Sequence, residues 1–250
     1  MIVSNQRDKT ASQTHKRLLD DVPELEDDPS LIVAVGGDGF MLHTIARHGF
    51  EPTYLGINAG HLGFLLNDIG DDWERVCTAL RQRTWTAHQF PTVQAKVWCA
   101  DGSQTELTAV NDVYLERCTG QTARLALSIN EHRVVEALTA DGIIFSTALG
   151  STAYTFSAGG PACHPTLQML SVTPICPHRP RLSPFALPRD ATARVDVIQP
   201  QKRPIRAVAD GSPVENVIAV EVGLGDTEVT LAYLPGHDFT AQMIRKILAA

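Results

Sequence analysis

Leu31-Ile-Val-Ala-Val-Gly-Gly-Asp-Gly-Phe40 decides how this chain is read: an unbroken apolar run enters three glycines set around one carboxylate. An apolar run of that length fits a strand buried on both faces of a parallel sheet, and from Phe40 to His48 apolar residues recur at helical spacing. Between strand and helix, glycine lets backbone N–H groups approach phosphoryl oxygens and adopt positive φ, and the N-terminus of the following helix adds a favourable dipole. Gly36, Gly37 and Gly39 are therefore candidate phosphate-binding residues. Asp38 does not suit a simple phosphate cradle, because phosphate repels a carboxylate. A kinase that takes a proton from an acceptor hydroxyl, or holds a metal ion, resolves the conflict. Taken alone, Gly-Gly-Asp-Gly also reads as a mere tight turn between a strand and a helix, so the rest of the chain has to decide.

Upstream of this stretch, Met1 to Ser4 reads as a short strand and Thr10 to Leu19 as a helix, followed by an acidic loop from Glu24 to Asp28. Downstream, Tyr54 to Ile57 resumes the strand pattern, Asn58-Ala-Gly-His-Leu-Gly63 is a second glycine-bearing turn, and Trp73 to Arg81 spaces its apolar residues as an amphipathic helix. From about Gln89 the texture changes. Val93 to Trp98, Val110 to Leu115, Leu125 to Ile129, Ile143 to Ser146, Arg194 to Ile198, Ile218 to Val222 and Val229 to Tyr233 read as strands separated by turn residues. Thr240 to Leu248 then spaces Met243, Ile244, Ile247 and Leu248 as one helical face. The expected fold class is an α/β N-terminal domain carrying the Gly-Gly-Asp-Gly turn, residues 1–88, plus a β-rich C-terminal domain, residues 89–237. The C-terminal helix, residues 238–250, is expected to rejoin the first domain.

Composition narrows the function classes. At 250 residues and 44% hydrophobic, the chain has enough apolar content for one large core or two modest ones. No apolar run has the length of a membrane span, and Gln6, Arg7, Asp8 and Lys9 stand where a secretion signal needs its apolar stretch, so a cytoplasmic protein without membrane association is expected. A formal net charge of −7 argues against nucleic acid as a partner, since phosphate neutralisation needs clustered Lys and Arg. Five cysteines without a C-x-x-C pair indicate neither a disulfide framework nor a zinc ribbon; Cys163-His164 and Cys176-Pro-His178 match no common zinc spacing.

Three more segments sit at the joints of this arrangement: Asn111-Asp112, Asp141-Gly142, and Gly150-Ser-Thr-Ala-Tyr-Thr-Phe-Ser157 running into Ala158-Gly-Gly-Pro161. The last is rich in hydroxyls and glycine and has neither strand nor helix periodicity. Hydroxyl and amide donors near a carboxylate pair suit a ribose and a purine edge. Read singly, each has a plainer explanation: Asn111-Asp112 as an Asx-turn opening a strand, Asp141-Gly142 and Asp210-Gly211 as hairpin turns, Phe64 as core.

Together with Gly36-Gly-Asp-Gly39, Gly56-Ile-Asn-Ala-Gly-His-Leu-Gly-Phe64 and Thr173-Pro-Ile-Cys-Pro-His178, these segments resemble the NAD kinase family in order and approximate spacing over residues 31–212. The resemblance implies a two-domain NAD kinase-like fold with NAD in an interdomain cleft. It also implies phosphorylation of the 2′-hydroxyl of the adenosine ribose of NAD, giving NADP, with ATP or polyphosphate as donor and a divalent metal cation, Mg²⁺, as cofactor. Asp38 is then the proton acceptor and, with Gly39, borders the dinucleotide. By the same resemblance Asn111 and Asp112 bind the dinucleotide, Asp141 lies near its nicotinamide half, and Thr152, Ala153, Tyr154 and Ser157 belong to the loop that wraps it. Phe64 lies against the adenine, Cys176 faces the nicotinamide side, Asp210 fills a late acidic position and Arg124 supplies a basic contact. His61 and His178 are expected to be structural histidines. A homodimer or homotetramer is also implied.

Departures from the family pattern are Ala148 and Leu149 where Pro-Thr is usual, Arg179-Pro-Arg-Leu-Ser-Pro184 after His178, and a short segment before Leu31. Two other readings share parts of the pattern. A lipid kinase has the same Gly-Gly-Asp-Gly turn but needs a deep apolar acceptor pocket, which the polar Gly150 to Ser157 stretch opposes. A noncatalytic NAD(P) sensor would keep the dinucleotide residues and gain little from Asp38.

Overall fold

A computed structural model describes residues 1–59, 63–70 and 72–248. Gly60, His61 and Leu62 of the second glycine turn lie outside the described residues. In chain order the elements begin with β1 (Ile2–Ser4), α1 (Lys9–Asp21), β2 (Leu31–Gly36), α2 (Asp38–His48), β3 (Thr53–Asn58) and α3 (Trp73–Gln82). Next come β4 (Thr86–Cys99), β5 (Gln104–Ala109), β6 (Asp112–Arg117), β7 (Ala123–Ile129), β8 (His132–Ala140) and β9 (Gly142–Ser146). The short helix α4 (Tyr154–Ser157) precedes β10 (Met169–Ile175), β11 (Phe185–Pro188), β12 (Ala193–Val197), β13 (Ile205–Ala209), β14 (Ser212–Val214) and β15 (Val217–Tyr233), and α5 (Phe239–Met243) continues into a π turn, Ile244–Leu248. The chain divides into two compact units, Met1–Phe90 with Glu228–Ala250, and Pro91–Thr227.

In the first unit, β1, β2, β3 and the end of β15 form a parallel sheet, with Val33 opposite Ile2 and Leu55, and Thr230 opposite Thr53. β2 is buried along its whole length, as its unbroken apolar sequence requires. One core gathers Leu18, Leu31, Val33, Val35, Leu55, Ile57, Val76 and Leu80 from the sheet, α1 and α3. α1 is capped by Asp8, whose carboxylate accepts the N–H groups of Thr10 and Ala11. Between β1 and β2 the structure holds α1 and one 3₁₀ turn and no strand, in keeping with the short segment noted before Leu31. Residues 228–233, read from the sequence with the β-rich part, belong to this unit, where Thr230 and Leu231 pair with Thr53 and Tyr54 of β3.

The second unit is a β-sandwich. One sheet runs β15-β12-β7-β8 with β4 and β5 attached; the other is antiparallel in the order β11-β10-β9-β6-β13-β14. Val97, Leu127, Val195 and Val220 of the first sheet meet Val113, Leu115, Phe145 and Val172 of the second in a single core. Because side chains alternate along a strand, burying Val113 and Leu115 turns Asp112, Tyr114 and Glu116 to the outer face of the second sheet.

Two elements differ from the expectation. Ile218–Val222 and Val229–Tyr233 are one strand: Gly223 and Gly225 make no turn, and a Cβ on Gly225 would meet Gln94 at 2.3 Å. In the C-terminal helix Phe239 and Gln242 are buried among the described residues, while Ile244 is 48% exposed, because the change to π geometry breaks the 3.6-residue register; the side chain of Leu248 lies outside the described residues.

Candidate active site

The first unit presents Asp38. β2 ends at Gly36, and Gly37, in extended conformation (φ −110°, ψ 176°), caps α2, so the helix starts at Asp38, two residues earlier than the spacing suggested. None of Gly36, Gly37 and Gly39 adopts positive φ. Their value is the missing side chain: a Cβ on Gly36 would meet the Phe40 ring at 2.9 Å, while Gly37 and Gly39 have open space where a Cβ would stand. Backbone at a helix N-terminus with open space above it suits an approaching anion. The Asp38 carboxylate accepts the Phe64 N–H at 2.7 Å on Oδ2 and the Leu65 N–H at 3.0 Å on Oδ1. Gly63 packs against it so closely that a Cβ there would come within 2.1 Å of Oδ1. Asp38 and Phe64 are thus brought together, but Phe64 bonds the carboxylate through its backbone.

Missed by the sequence reading was Asn67, which closes this loop. Its buried amide donates to the carbonyls of Gly56 and Ala232, at 2.9 and 3.0 Å, and accepts the Leu234 N–H at 2.7 Å. A lone Asn beyond the glycine motif carries no local signal for such a role.

The second unit gathers Asn111, Asp112 and Asp210 at one end of its outer sheet. Asp210 and Gly211 form the β13–β14 hairpin turn, with positive φ at both, 43° and 89°. The Asp210 carboxylate, instead of facing outward, accepts the N–H groups of Val110 (2.6 Å), Asn111 (3.0 Å) and Asp112 (3.3 Å). Burial raises the Asp210 pKa, and those three N–H groups oppose the rise. Asp112 is 6% exposed; burial first, and then the charge of Asp210, push its carboxyl up to about 7. Asn111 Oδ1 is buried without a hydrogen-bond partner among the described residues.

The hydroxyl-rich segment docks on the same turn. The Thr147 hydroxyl donates to the Val110 carbonyl at 2.8 Å and accepts the Gly150 N–H at 2.9 Å. A Cβ on Gly150 would lie 2.2 Å from the Asn111 carbonyl oxygen, so only glycine fits. Ala148 and Leu149, the departures from the family pattern, are buried. Residues expected to be a loop form a 3₁₀ turn, Gly150–Thr152, and α4. Thr152 and Ser157 bond back to their own turns, through the Leu149 and Ala153 carbonyls, and the Ala153 N–H donates to Gly150. Tyr154 stands edge-on to Tyr114, with ring centroids 5.0 Å apart.

A cavity of about 270 Å³ is lined by Glu116, Arg117, Asp141, Tyr154 and Ile175. Across it Arg117 Nε bonds Asp141 Oδ1 at 2.6 Å. Burial raises the Tyr154 pKa, and the charges of Glu116, Cys176, Asp112 and Asp141 add to the rise. Cys176 is exposed, in left-handed conformation (φ 45°) just after β10. Arg124 lies on β7 opposite Thr139 and is not among the residues lining the cavity. The cation paired with Asp141 is Arg117, whose only sequence signal is its place at the end of β6. His178 is exposed and engages through its backbone N–H to the Thr139 carbonyl.

Residues 110–226 match the family described as the ATP-NAD kinase C-terminal domain. The chain is 35% identical over 225 residues to an NAD kinase of Xanthomonas campestris pv. campestris, covering 89% of this chain and 86% of that one. To an NAD kinase of Cereibacter sphaeroides it is 38% identical over 231 residues, 90% and 87% of the two chains. In fold it is similar to yeast NADH kinase complexed with NADH (TM-score 0.84, 20% identity, 99% of this chain and 86% of that). It is also similar in fold to an NAD kinase from Archaeoglobus fulgidus in complex with ATP (TM-score 0.81, 23% identity, 100% and 98%).

Proposed function

The chain belongs to the NAD kinase family, and from that premise we propose how its residues divide the work of phosphorylating NAD to NADP with ATP as co-substrate. The first unit supplies the reacting carboxylate, Asp38; the second supplies the residues that hold the dinucleotide. The observation that carries this reading is a carboxylate fixed by two N–H groups at a helix N-terminus whose neighbouring glycines leave the backbone open.

An aspartate is a far weaker base than an alkoxide, so Asp38 orients the 2′-hydroxyl and takes its proton only as the bond from that oxygen to the γ-phosphorus forms. The bond from γ-phosphorus to the β,γ-bridging oxygen breaks, and ADP leaves with the electron pair. Backbone N–H groups of the Gly36 to Gly39 turn meet the charge on the transferring group. Among the described residues no group of three or more His, Cys, Asp or Glu side chains is placed to hold a metal ion. A divalent cation held on the nucleotide's phosphates would need only one or two carboxylates from the protein. Asp38 is the carboxylate on the phosphate-facing turn, and the cation would supply charge neutralisation there.

For the dinucleotide, Asn111 Oδ1, buried and without a partner, and Asp112 beside it offer acceptors to ribose hydroxyls and an amide. Asp141, Arg117 and Tyr154 line a cavity of a size and polarity suited to a carboxamide-bearing ring. Asp210 serves by shaping the Asn111-Asp112 turn. No described helix is long and apolar enough to cross a membrane. Action in the cytoplasm as a homodimer or homotetramer is part of the proposal, drawn from the family resemblance.

The test is NADP formation from NAD, ATP and magnesium by wild type and Asp38→Asn, with NAD binding measured on both. Turnover is expected to fall by more than about a hundredfold with binding retained. Unchanged turnover would remove Asp38 from the chemistry, and tight NAD binding by a wild type that turns over neither ATP nor polyphosphate would favour the sensor.

A further inference from the structure

We propose that Gln242, on the C-terminal helix α5, is a positioning residue for phosphoryl transfer, acting on Asp38 through the Gly63–Phe64 peptide; this rests on the reading of Asp38 given above. Gln242 is 4% exposed, and its Nε2 donates to the Gly63 carbonyl at 3.1 Å in a buried contact. The N–H on the other side of that peptide bond is the Phe64 N–H, which donates to Asp38 Oδ2 at 2.7 Å. A peptide unit is planar, so holding its oxygen fixes the direction of its N–H. Gln242, the peptide and the carboxylate therefore form one chain of hydrogen bonds whose members polarise each other in the same sense. The Leu65 N–H, one residue on, completes the grip on Oδ1.

The anchor is itself fixed. Asp238 caps α5 by accepting the Ala241 N–H at 3.0 Å. Phe239 packs edge-on against His88 and Tyr233, with ring centroids at 5.3 and 4.9 Å, and against Phe90 at 6.0 Å. A buried amide is costly unless its hydrogen bonds are made, and an apolar side chain of the same length would fill the space without that cost. Its presence is explained by the carbonyl it holds, and by the rate penalty when a reacting group is misplaced by a fraction of an ångström.

Gln242→Met keeps length and burial and removes the donor. Its kcat for NADP formation is expected to fall by about ten- to a hundredfold, with KM for NAD and for ATP within about twofold of wild type. Hydrogen exchange at the Phe64 and Leu65 amides is expected to accelerate, while exchange in β2 and β3 stays as in wild type. The double variant with Asp38→Asn should turn over no more slowly than Asp38→Asn alone, because the two changes remove one interaction. Loss of activity in Asp38→Asn with wild-type kcat in Gln242→Met overturns this inference alone; wild-type kcat in Asp38→Asn overturns it together with the reading of Asp38. A multiplicative loss in the double variant shows that Gln242 acts by another route and also overturns it. Should Gln242→Met prove too unstable to purify, Gln242→Asn, which keeps the amide but shortens its reach, is judged by the same criteria.

Discussion

At the scale of single residues, the two buried aspartates of the second unit separate into different tasks. Burial raises the pKa of both, but at Asp210 three backbone N–H groups oppose the rise, whereas Asp112 has no such set among the described residues and its carboxyl is pushed up to about 7. The unfolded chain releases that proton near an ordinary aspartate value of about 3.9, so the folded state binds more protons between about pH 4 and about 7. Stability therefore falls as pH rises through that window and levels off above it. In the ligand-free protein, Asp112→Asn is expected to flatten much of this fall, read as a smaller drop in Tm between pH 5 and pH 8 than in wild type. An equal drop in both proteins would show that Asp112 ionises normally. Because the ionised carboxylate is the better acceptor for ribose hydroxyls, NAD affinity of the wild type should also rise through about pH 7. Both aspartates were picked out in the sequence, but nothing there distinguishes the one proposed to bind the dinucleotide from the one whose carboxylate accepts the backbone of the turn.

At the scale of elements, the loop after β3 matters most, since it carries the Phe64 and Leu65 N–H groups. Asn67 ties that loop to β3 and to the end of β15 with three hydrogen bonds made by one buried side chain. Asn67→Ala leaves two carbonyls and one N–H without those partners and is expected to cost roughly 2–4 kcal/mol in urea unfolding. A cost under about 0.5 kcal/mol would mean that the loop closes without it. The strands and helices nearest the Gly-Gly-Asp-Gly turn were legible because their periodicity is strong. β8, β10 and β13 were not, since their apolar residues are interrupted by charges or sit inside segments read as motifs.

Across the whole molecule, each unit has its own core. Leu18 belongs to that of the first unit and Leu115 to that of the second, both fully buried. Leu18→Ala and Leu115→Ala are each expected to cost about 2–5 kcal/mol. Hydrogen exchange should show the weakening concentrated in the first unit for Leu18→Ala and within Pro91–Thr227 for Leu115→Ala. Loss of protection spread evenly through both units in either variant would show that they unfold as one cooperative body.

By itself, the sequence determined the order of strands and helices around Asp38, the change to a β-rich second part, and the family, because buried strands, amphipathic helices and glycine turns leave local patterns. Tertiary structure alone decided that Gly223 and Gly225 lie inside a strand, that Asp210 faces its own backbone, that Arg117 is the partner of Asp141, and that Gln242 reaches Gly63. Each of these depends on a contact between segments far apart in the chain or on the direction a side chain takes in a turn, and neither follows from the spacing of residues along the chain.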